Sequence, residues 1–304
     1  MSRPDMPVFS FELPVSSDFR FDSCLQYMAR SDKECLYKIA DGEVRRLLRL
    51  GTREVLVAIR SRSDYELGVT VLHGGPLSER EQKELRDYLR CWFDIDRDLV
   101  PFYALAQNNG LFGEVVRSFY GLRIVGIPDL FEAVCWAVLG QQVNLSFAYT
   151  LKERLTTAYG SSFMWEGTLY RMFPTPQQLL AASREELGGL QLTRMKAAAI
   201  MEVAGRMAAG DLSRDSLLAM GDFHVMEKTL LNIKGIGPWT ANYVLMRCLG
   251  DPGAFPVGDA GLLNAVKQLL NMEKKPTESQ LRELFSGWKG WEAYLTFYLW
   301  RTLA

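Results

Sequence analysis

The residues best suited to chemistry lie close together in one segment, residues 228–261. Residues 234–237 read Lys-Gly-Ile-Gly, and Pro238 follows them. Two glycines around one apolar residue allow a tight turn with N–H groups exposed at the start of a helix, where they can receive a phosphate oxygen without a cationic side chain. Proline suits the first position of that helix because its missing N–H would have no partner there. The segment therefore predicts two helices, the first ending near Leu231, joined by a turn that can bind phosphate.

Asp259 lies in the same segment, just before the helical run of residues 260–270. Aspartate at such a position very commonly caps the helix. A helix N-terminus also stabilises the ionised form of a carboxyl group, so the capping role is compatible with a chemical one. Taken alone, Asp259 is better explained as a cap, and residues 234–237 as a plain turn in which Ile233 and Ile236 fill the gap between two helices. Their combination is what favours a functional site.

The elements that must position these residues begin with a β-rich first third. Residues 43–50, 54–60 and 66–72 are short apolar or alternating runs bounded by glycine, proline or polar turns, which predicts antiparallel hairpins. Residues 21–31 and 78–93 have apolar positions at helical spacing and are predicted helices. The first third is therefore expected to combine a sheet with two helices.

From about Leu99 the pattern is helical to the end of the chain. The predicted helices of this part that precede the hairpin are residues 130–144, 145–159, 174–182, 184–190 and 194–209. The predicted fold class is α+β, with an N-terminal mixed domain containing an antiparallel sheet over residues 1–100 and an all-α body over residues 101–304.

The body is expected to divide further. Residues 127–250 are assigned to the core helices, and the hairpin at 228–249 belongs to them. Residues 101–126 and 251–304, from either side of that core, are expected to pack together as a second helical lobe.

Composition narrows the class of protein without naming it. The 304 residues are 48% hydrophobic and 23% charged, which is typical of a globular protein, and the formal net charge of −1 gives no general attraction to nucleic acid. The five cysteines contain no CxxC pair, which favours a reducing cytoplasm over disulfides or a zinc site. Only two histidines are present. No apolar run is long enough to span a membrane, and residues 1–13 do not read as a signal peptide.

The segment 228–261 resembles the helix-hairpin-helix and Gly/Pro-rich loop, ending in an aspartate, that defines one superfamily of DNA glycosylases, the HhH-GPD superfamily. Within it, the match is closest to the DNA-3-methyladenine glycosylase II family. The similarity covers nearly the whole chain, more loosely in the β-rich part. Besides the hairpin, the matching segments are residues 131–144, 173–180, 190–197 and 288–300.

The resemblance implies a hydrolase of base excision repair that cuts the N-glycosidic bond of alkylated purines in double-stranded DNA, with Asp259 as the catalytic carboxylate. A purine methylated at N3 or N7 is already a cation, so it can leave as a neutral molecule without being protonated. One carboxylate then suffices to stabilise the oxocarbenium-like sugar and to orient the attacking water. Ordinary sugar hydrolases need a second carboxyl as proton donor.

The residue at position 239 implies that the enzyme is monofunctional. Trp239 stands where relatives that also nick the DNA backbone carry a lysine, and an indole cannot form the Schiff base that such nicking needs. Lys234 lies on the wrong side of the turn to replace it. The cysteine cluster of an iron–sulfur branch is also missing, because no cysteine follows Cys248.

The resemblance also assigns binding roles. Trp239, Tyr243 and Trp300, and more loosely Tyr27, are expected to line the base pocket, where aromatic faces suit a flat cationic base. Plain core packing is the competing explanation for each of them. Gln142 corresponds to the residue that wedges into the duplex, although the family can use leucine there and a turn role explains glutamine about as well.

The hairpin completes the expected DNA contacts. Gly235 and Gly237 are expected to anchor a DNA strand through backbone N–H groups, together with Lys234 and Thr240. A monovalent cation, Na⁺ or K⁺, is expected on the backbone carbonyls of three residues, Leu231, Ile233 and Ile236. The basic side chains of Arg194, Lys196 and Arg206 are more typical of a solvated helix face than of a phosphate grip.

Two rival functions remain open at this point. One is excision of oxidised or deaminated bases, which would demand more leaving-group activation because such lesions are uncharged. The other is a non-catalytic helix-hairpin-helix module that only binds DNA, which the combination of Asp259 with the aromatic set disfavours. On either enzymatic interpretation the protein is expected to act as a cytoplasmic monomer without a cofactor in catalysis.

Overall fold

A computed structural model describes residues 9–303 of the chain. The signal-peptide expectation concerned residues 1–13, and its first eight residues lie outside the described ones. The β-rich part is a five-stranded sheet, antiparallel throughout, in the order β1-β5-β4-β3-β2. Its strands are β1 (Phe9–Pro14), β2 (Tyr37–Ala40), β3 (Glu43–Leu50), β4 (Arg53–Ser63) and β5 (Glu66–His73).

The sheet follows from the sequence pattern with two additions. Strands β3, β4 and β5 are the three predicted ones, and Val55, Val57 and Ile59 of the central β4 are fully buried. The strands that were not predicted are β2, which pairs with β3 from Tyr37 opposite Arg46, and β1, which pairs with β5 from Phe9 opposite Val71. Strand β1 is short and ends in a proline, so its formation depends on the partner strand.

Two helices accompany the sheet. Helix α1 (Phe21–Met28) is shorter than predicted, whereas α2 (Glu79–Trp92) has the predicted bounds because a capping box fixes its start. The Ser78 hydroxyl accepts the Glu81 N–H at 3.3 Å, and the Glu81 carboxylate accepts the Ser78 N–H at 2.8 Å. Sequence signals of this kind act within a few residues and are readable without the fold.

The rest of the described chain is mainly helical. The helices are α3 (Val100–Asn108), α4 (Gly113–Ser118), α5 (Leu130–Gly140), α6 (Leu145–Tyr159), α7 (Pro176–Leu180), α8 (Arg184–Gly189), α9 (Arg194–Ala209), α10 (Arg214–Leu218), α11 (Phe223–Leu231), α12 (Pro238–Val244), α13 (Ala260–Leu269), α14 (Glu278–Leu284) and α15 (Glu292–Arg301). A π-helical turn (Leu245–Leu249) continues α12, and a 3₁₀ turn (Ser286–Trp288) precedes α15. Helices α6 and α9 have the predicted bounds, and α5 ends earlier than predicted.

The expectation that the chain is helical from Leu99 to its end is wrong at one place. Residues 161–172 form a two-stranded hairpin of β6 (Ser161–Trp165) and β7 (Thr168–Met172), joined by Glu166 and Gly167, both with positive φ. That turn geometry matches the twist of a hairpin. The hairpin packs on the back of the sheet, where Tyr170 and Met172 join Leu47 and Leu56 in a separate apolar cluster.

Two buried ion pairs join the sheet region to the helices. Arg46 of β3 bonds Glu132 of α5 at 2.5 Å, and Glu34 bonds Lys152 of α6 at 2.8 Å. The main apolar core runs continuously from the sheet region into the helical body. The division at residue 100, and the pairing of residues 101–126 with 251–304 as a lobe, therefore stay predictions, although α4 does pack on α15.

Candidate active site

The helix pair predicted at residues 228–249 is present as α11 and α12. The first helix ends at Leu231 and the second begins at Pro238. Ile233 and Ile236 of the connecting turn are 1% and 5% exposed, which confirms that they fill the gap between the helices. The turn itself stays at the surface, so its backbone is available to a ligand.

Gly235 is required by the way this turn packs. Its φ is +92°, a left-handed conformation that favours glycine, and a Cβ built there would lie 2.5 Å from the Cβ of Ala199 in α9. Gly237 caps α12 with φ −97°, and a Cβ there would meet nothing within 4 Å. The two glycines therefore differ. The close approach to α9 requires glycine at position 235, whereas packing would allow a side chain at position 237.

Asp259 is the N-cap of α13, as the sequence predicted. Its Oδ1 accepts the Leu262 N–H at 2.7 Å and the Trp300 indole N–H at 2.8 Å, and its Oδ2 accepts the Trp239 indole N–H at 3.0 Å. Asp259 is 9% exposed, and no basic side chain pairs with it among residues 9–303. Three neutral donors thus fix a nearly buried carboxylate and leave its charge uncompensated by a cation.

The predicted pocket aromatics form a continuous set of rings that begins at this carboxylate, with Trp239 and Trp300. The ring centroid of Tyr243 lies 5.6 Å from that of Trp239 and 6.1 Å from that of Trp300. Phe297 links Trp300 to Tyr27, with centroids 6.0 and 4.3 Å apart. We call these five residues the aromatic cluster. The structure brings all four predicted aromatics into it, including Tyr27 from the opposite end of the chain.

Trp136 and Arg247 hold the cluster from behind. The Trp136 indole N–H donates to the Tyr243 hydroxyl at 2.8 Å. The Arg247 guanidinium donates to the hydroxyls of Tyr243 and Tyr27 at 2.8 and 2.9 Å and to the Val125 carbonyl at 2.7 Å. Sequence reasoning named neither Trp136 nor Arg247, since each looked like an ordinary core or helix-face residue.

A loop between α5 and α6 lies next to the hairpin. Gln141 donates through its amide to the Gly235 carbonyl at 3.0 Å and to the Thr240 hydroxyl at 2.9 Å. Gln142, at the tip, is exposed and has φ +55°, which is uncommon for a residue with a side chain. Backbone conformations of this kind cluster at functional sites. The geometry therefore presents Gln142 outward beside the hairpin.

Lys196 supports the same loop, contrary to expectation. The sequence placed it on a solvated helix face, but it is 7% exposed and donates to the Leu139 carbonyl at 2.8 Å. That carbonyl lies at the C-terminal end of α5, where a cation is favoured by the helix dipole. Burial lowers the pKa of Lys196 below its usual range.

The other predicted hairpin residues are placed as follows. Lys234 is exposed on the turn, whereas Thr240 is 1% exposed with its hydroxyl already bonded to Gln141, so a DNA contact by Thr240 would use its backbone. The Ile233 carbonyl accepts the Ile236 N–H at 3.0 Å, which leaves one of its lone pairs free. No group of three or more His, Cys, Asp or Glu side chains within residues 9–303 could hold a metal ion.

Gly261 is a site residue that sequence reasoning missed. A Cβ there would lie 3.1 Å from the Asp259 Oδ1 and 3.3 Å from the Trp300 Nε1, so the glycine lets the indole reach the carboxylate. A glycine in the first turn of a helix that begins with the candidate carboxylate was the available signal.

The arrangement can support cleavage at a carbon that becomes cationic. A fixed anion stabilises developing positive charge, and it can orient a water or accept its proton. The aromatic faces next to it suit a flat ring.

No described helix is long and apolar enough to cross a membrane.

Comparison with known proteins gives matches along nearly the whole chain. A family model described as "HhH-GPD superfamily base excision DNA repair protein" matches residues 135–290, and one described as "8-oxoguanine DNA glycosylase, N-terminal domain" matches residues 17–134. A Bacillus subtilis protein named DNA-3-methyladenine glycosylase is 43% identical over 286 residues, 94% of each chain. DNA-3-methyladenine glycosylase 2 of Escherichia coli is 32% identical over 196 residues, 64% of this chain and 65% of that one.

Solved structures agree on the fold. The 3-methyladenine DNA glycosylase from Archaeoglobus fulgidus superposes with a TM-score of 0.79 at 22% identity, over 96% of this chain and 97% of that chain. A superposition over 96% of this chain includes both the sheet region and the helical body. The likeness confirms the predicted α+β architecture.

Proposed function

The chain belongs to the HhH-GPD superfamily of base excision DNA repair proteins, and on that premise we propose that it is a monofunctional glycosylase that releases alkylated purines from double-stranded DNA. The names of the Bacillus subtilis and Escherichia coli relatives support the alkylated-base substrate. The whole-chain match to the first of them, sheet region included, supports assigning the activity to the entire chain.

One observation carries the proposal. Asp259 is nearly buried, receives two indole N–H groups and one backbone N–H, and lies against the aromatic cluster. A carboxylate that only capped its helix would need the Leu262 N–H alone. The two indoles of Trp239 and Trp300 fix its orientation beside a surface suited to a flat base.

The proposed reaction needs no general acid, because the lesion already carries a positive charge. As the bond between C1′ and the base nitrogen breaks, its electron pair goes to the base, and a cationic alkylated purine departs neutral. Asp259 stabilises the positive charge that develops on the sugar. Water then forms the new C1′–O bond, and its proton passes to Asp259 or to solvent. The products are the free base and an abasic site.

DNA is held, in this proposal, by the hairpin and the loop beside it. The exposed turn with Gly235 and Gly237 offers backbone N–H groups to a phosphate, and Lys234 adds a positive charge at the same place. Gln142 enters the duplex where the target nucleotide has left. The bonds of Gln141 to the hairpin support this arrangement, because they fix the loop relative to the turn.

A monovalent cation on the carbonyls of Leu231, Ile233 and Ile236 also belongs to the proposal. Backbone carbonyls are ligands that Na⁺ and K⁺ accept, and the free lone pair of the Ile233 carbonyl is compatible with that role. The ion would fix the turn, and no chemical step depends on it. We further propose that the protein acts as a cytoplasmic monomer.

The absence of lyase activity rests on Trp239. Its indole donates to Asp259 at 3.0 Å, at the place where bifunctional relatives carry a lysine, and it offers no amine for a Schiff base. Borohydride treatment of the enzyme with its substrate is therefore expected to trap no covalent adduct with DNA. A strong adduct would overturn the monofunctional assignment.

The direct test is a panel of duplexes that each contain one modified base. We expect release of 3-methyladenine and 7-methylguanine as free bases, measured by chromatography, and alkali-labile abasic sites in the same duplexes. An unmodified duplex of identical sequence is the control. Release of 8-oxoguanine without release of either methylated base would favour the rival substrate class. Binding without release from any duplex would leave a DNA-binding module.

A further inference from the structure

Arg247 differs from the other buried cations of this protein. Five basic side chains are buried in the described part of the chain, namely Arg46, Arg123, Lys152, Lys196 and Arg247. The first three each pair with a carboxylate: Glu132, Asp18 and Glu34, respectively. Lys196 bonds a carbonyl at a helix C-terminus, where the dipole favours a cation. Arg247 is 5% exposed and has no carboxylate within 4 Å among residues 9–303.

Apart from the Val125 carbonyl, which accepts the Arg247 Nε–H at 2.7 Å, the surroundings of Arg247 are aromatic. Its guanidinium carbon lies 5.5 Å from the ring centroids of Tyr27 and Tyr243 and 5.6 Å from that of Phe297. It also donates to both tyrosine hydroxyls. A buried cation without a counter-ion costs free energy that an apolar residue in the same place would not cost. Aromatic faces and phenol oxygens offset only part of that cost, so packing alone does not account for a charge at this position.

Arg247 and Asp259 contact different members of the aromatic cluster. Asp259 bonds the indoles of Trp239 and Trp300, whereas Arg247 bonds the hydroxyls of Tyr27 and Tyr243. The Tyr243 ring stands between the two groups in this network, packed on both indoles. The cluster therefore has a lone anion at one end and a lone cation at the other.

We propose that Arg247 is a positioning residue whose charge also drives the glycosidic bond electrons toward the base. The inference rests on the proposed function, because it places the flipped base against the aromatic cluster. Bond cleavage moves negative charge from the sugar to the base. A fixed anion near the sugar and a fixed cation behind the base both favour that movement.

The effect differs between lesions in a way that can be measured. A cationic base is repelled by Arg247 when it binds and loses that repulsion as it becomes neutral, so the arginine weakens binding and accelerates cleavage. A neutral base is not repelled when it binds, and it becomes anionic as it leaves, so the arginine accelerates cleavage without weakening binding. A purely structural role would affect both lesions alike.

The hydrogen bonds of Tyr243 reinforce the effect. Its hydroxyl oxygen accepts N–H groups from both Trp136 and Arg247. Both lone pairs are then occupied, and the hydroxyl proton is left to be donated elsewhere. A donor polarised by a neighbouring cation suits an acceptor atom on a departing purine.

The test compares three variants in single-turnover reactions on two duplexes, one with 7-methylguanine, which is cationic, and one with hypoxanthine, which is neutral. Arg247→Gln keeps hydrogen-bond donors without the charge, Arg247→Lys keeps the charge, and Arg247→Met keeps neither. We expect Gln and Met to lower the maximal rate on both lesions by on the order of tenfold. With 7-methylguanine alone, the half-saturating enzyme concentration is expected to fall as well. Lys should stay within about threefold of wild type.

The outcomes separate the possible explanations. Equal losses on both lesions with unchanged half-saturation, or a Gln variant that behaves as wild type, would overturn the role of the charge. Thermal unfolding of each variant shows whether it folds, and the comparison of Gln with Lys decides the question if Met does not. If wild type does not release 7-methylguanine, the proposed function itself fails; if wild type releases it and half-saturation on 7-methylguanine is the same for wild type and the Gln variant, only this inference fails.

Discussion

At the junction of the sheet with the helical body, buried charges occur as pairs, whereas at the aromatic cluster they occur singly. Arg46 with Glu132, and Glu34 with Lys152, neutralise each other across the junction. Asp259 and Arg247 are as deeply buried, but hydrogen bonds from neutral groups or to neutral oxygens surround them instead of opposite charges.

The difference separates two uses of a buried charge. A paired charge is neutralised by its partner, and the pair fixes how two parts of the fold meet. Removing one member is therefore expected to lower stability. A lone charge held by neutral groups can act on a bound molecule through its electric field. Removing it is therefore expected to lower activity. Substitutions at each place test this distinction.

The largest effect is expected for Asp259→Asn. Asparagine caps a helix about as well as aspartate, so stability should change little, whereas base release should fall on the order of 10⁴-fold or more. Free-base release and binding to an abasic duplex measure the two properties. Asp222→Asn is the matched control, because Asp222 also caps a helix, α11, by accepting the His224 N–H at 2.7 Å. Retained turnover in Asp259→Asn would remove this carboxylate from the mechanism.

Arg46→Met is expected to lower stability and to leave activity nearly unchanged, the opposite of Asp259→Asn. It leaves Glu132 buried without its partner, which costs about 3–5 kcal/mol of unfolding free energy, while the rate per folded molecule stays near that of wild type. Urea unfolding and single-turnover rates check the two halves of the prediction. Arg45→Met is the control on the same strand, because the Arg45–Glu43 pair is more exposed and should contribute about 0–1 kcal/mol. A loss of activity larger than the loss of folded protein would contradict the distinction.

The Glu34–Lys152 pair predicts a dependence of stability on pH. Burial raises the pKa of the Glu34 carboxyl, but the Lys152 ammonium, helped by the Leu36 N–H and by Arg46, holds that pKa below its usual range. The stabilisation is therefore complete above the ordinary glutamate pKa and is lost as the pH falls through the lowered one, at about 1.4 kcal/mol per unit of lowering. The stability gap between wild type and Glu34→Gln should narrow as the pH falls from 6 toward 3 in urea unfolding. A gap independent of pH would show that the pair is not the cause.

Trp300→Phe tests whether the neutral donors matter at the lone anion. It removes the N–H that reaches Asp259 at 2.8 Å and keeps an aromatic ring, so the rate of base release should fall roughly tenfold to a hundredfold. Trp288→Phe is the matched control, because the Trp288 indole N–H is buried without a described hydrogen-bond partner. Its effect should be confined to stability. Equal rates for the two variants would mean that the indole bond does not contribute.

The smallest effect is expected for Gly261→Ala. The new methyl group would push the Trp300 indole or the Asp259 carboxylate by a few tenths of an ångström, which should slow base release roughly three- to tenfold with little change in stability. Gly205→Ala in α9 is the control, because a Cβ there meets nothing within 4 Å. A rate for Gly261→Ala equal to that of the control would show that the close approach is not needed.

Much of the local structure was readable from the sequence because its causes are local. The capping box at Ser78, the glycine turn before Pro238 and the cap at Asp259 each depend on a few neighbouring residues. Strands β1 and β2 and the hairpin at 161–172 were missed. Strand β1 and the hairpin depend on packing against a distant strand, and β2 is only four residues long. The site roles given to the predicted residues stay predictions, although Trp239 and Trp300 do meet at Asp259.

The order of residues along the chain determined the candidate carboxylate, the hairpin and the family to which they belong. Only the tertiary structure decided which charges would be paired. Arg46, Lys196 and Arg247 are all basic residues on a strand or helix, yet one meets a glutamate, one a helix end and one a group of aromatic rings. The electrostatic energy of a charge depends on its burial and on its distance from other groups. The residues that surround Arg247 include Tyr27, which lies 220 positions away in the chain.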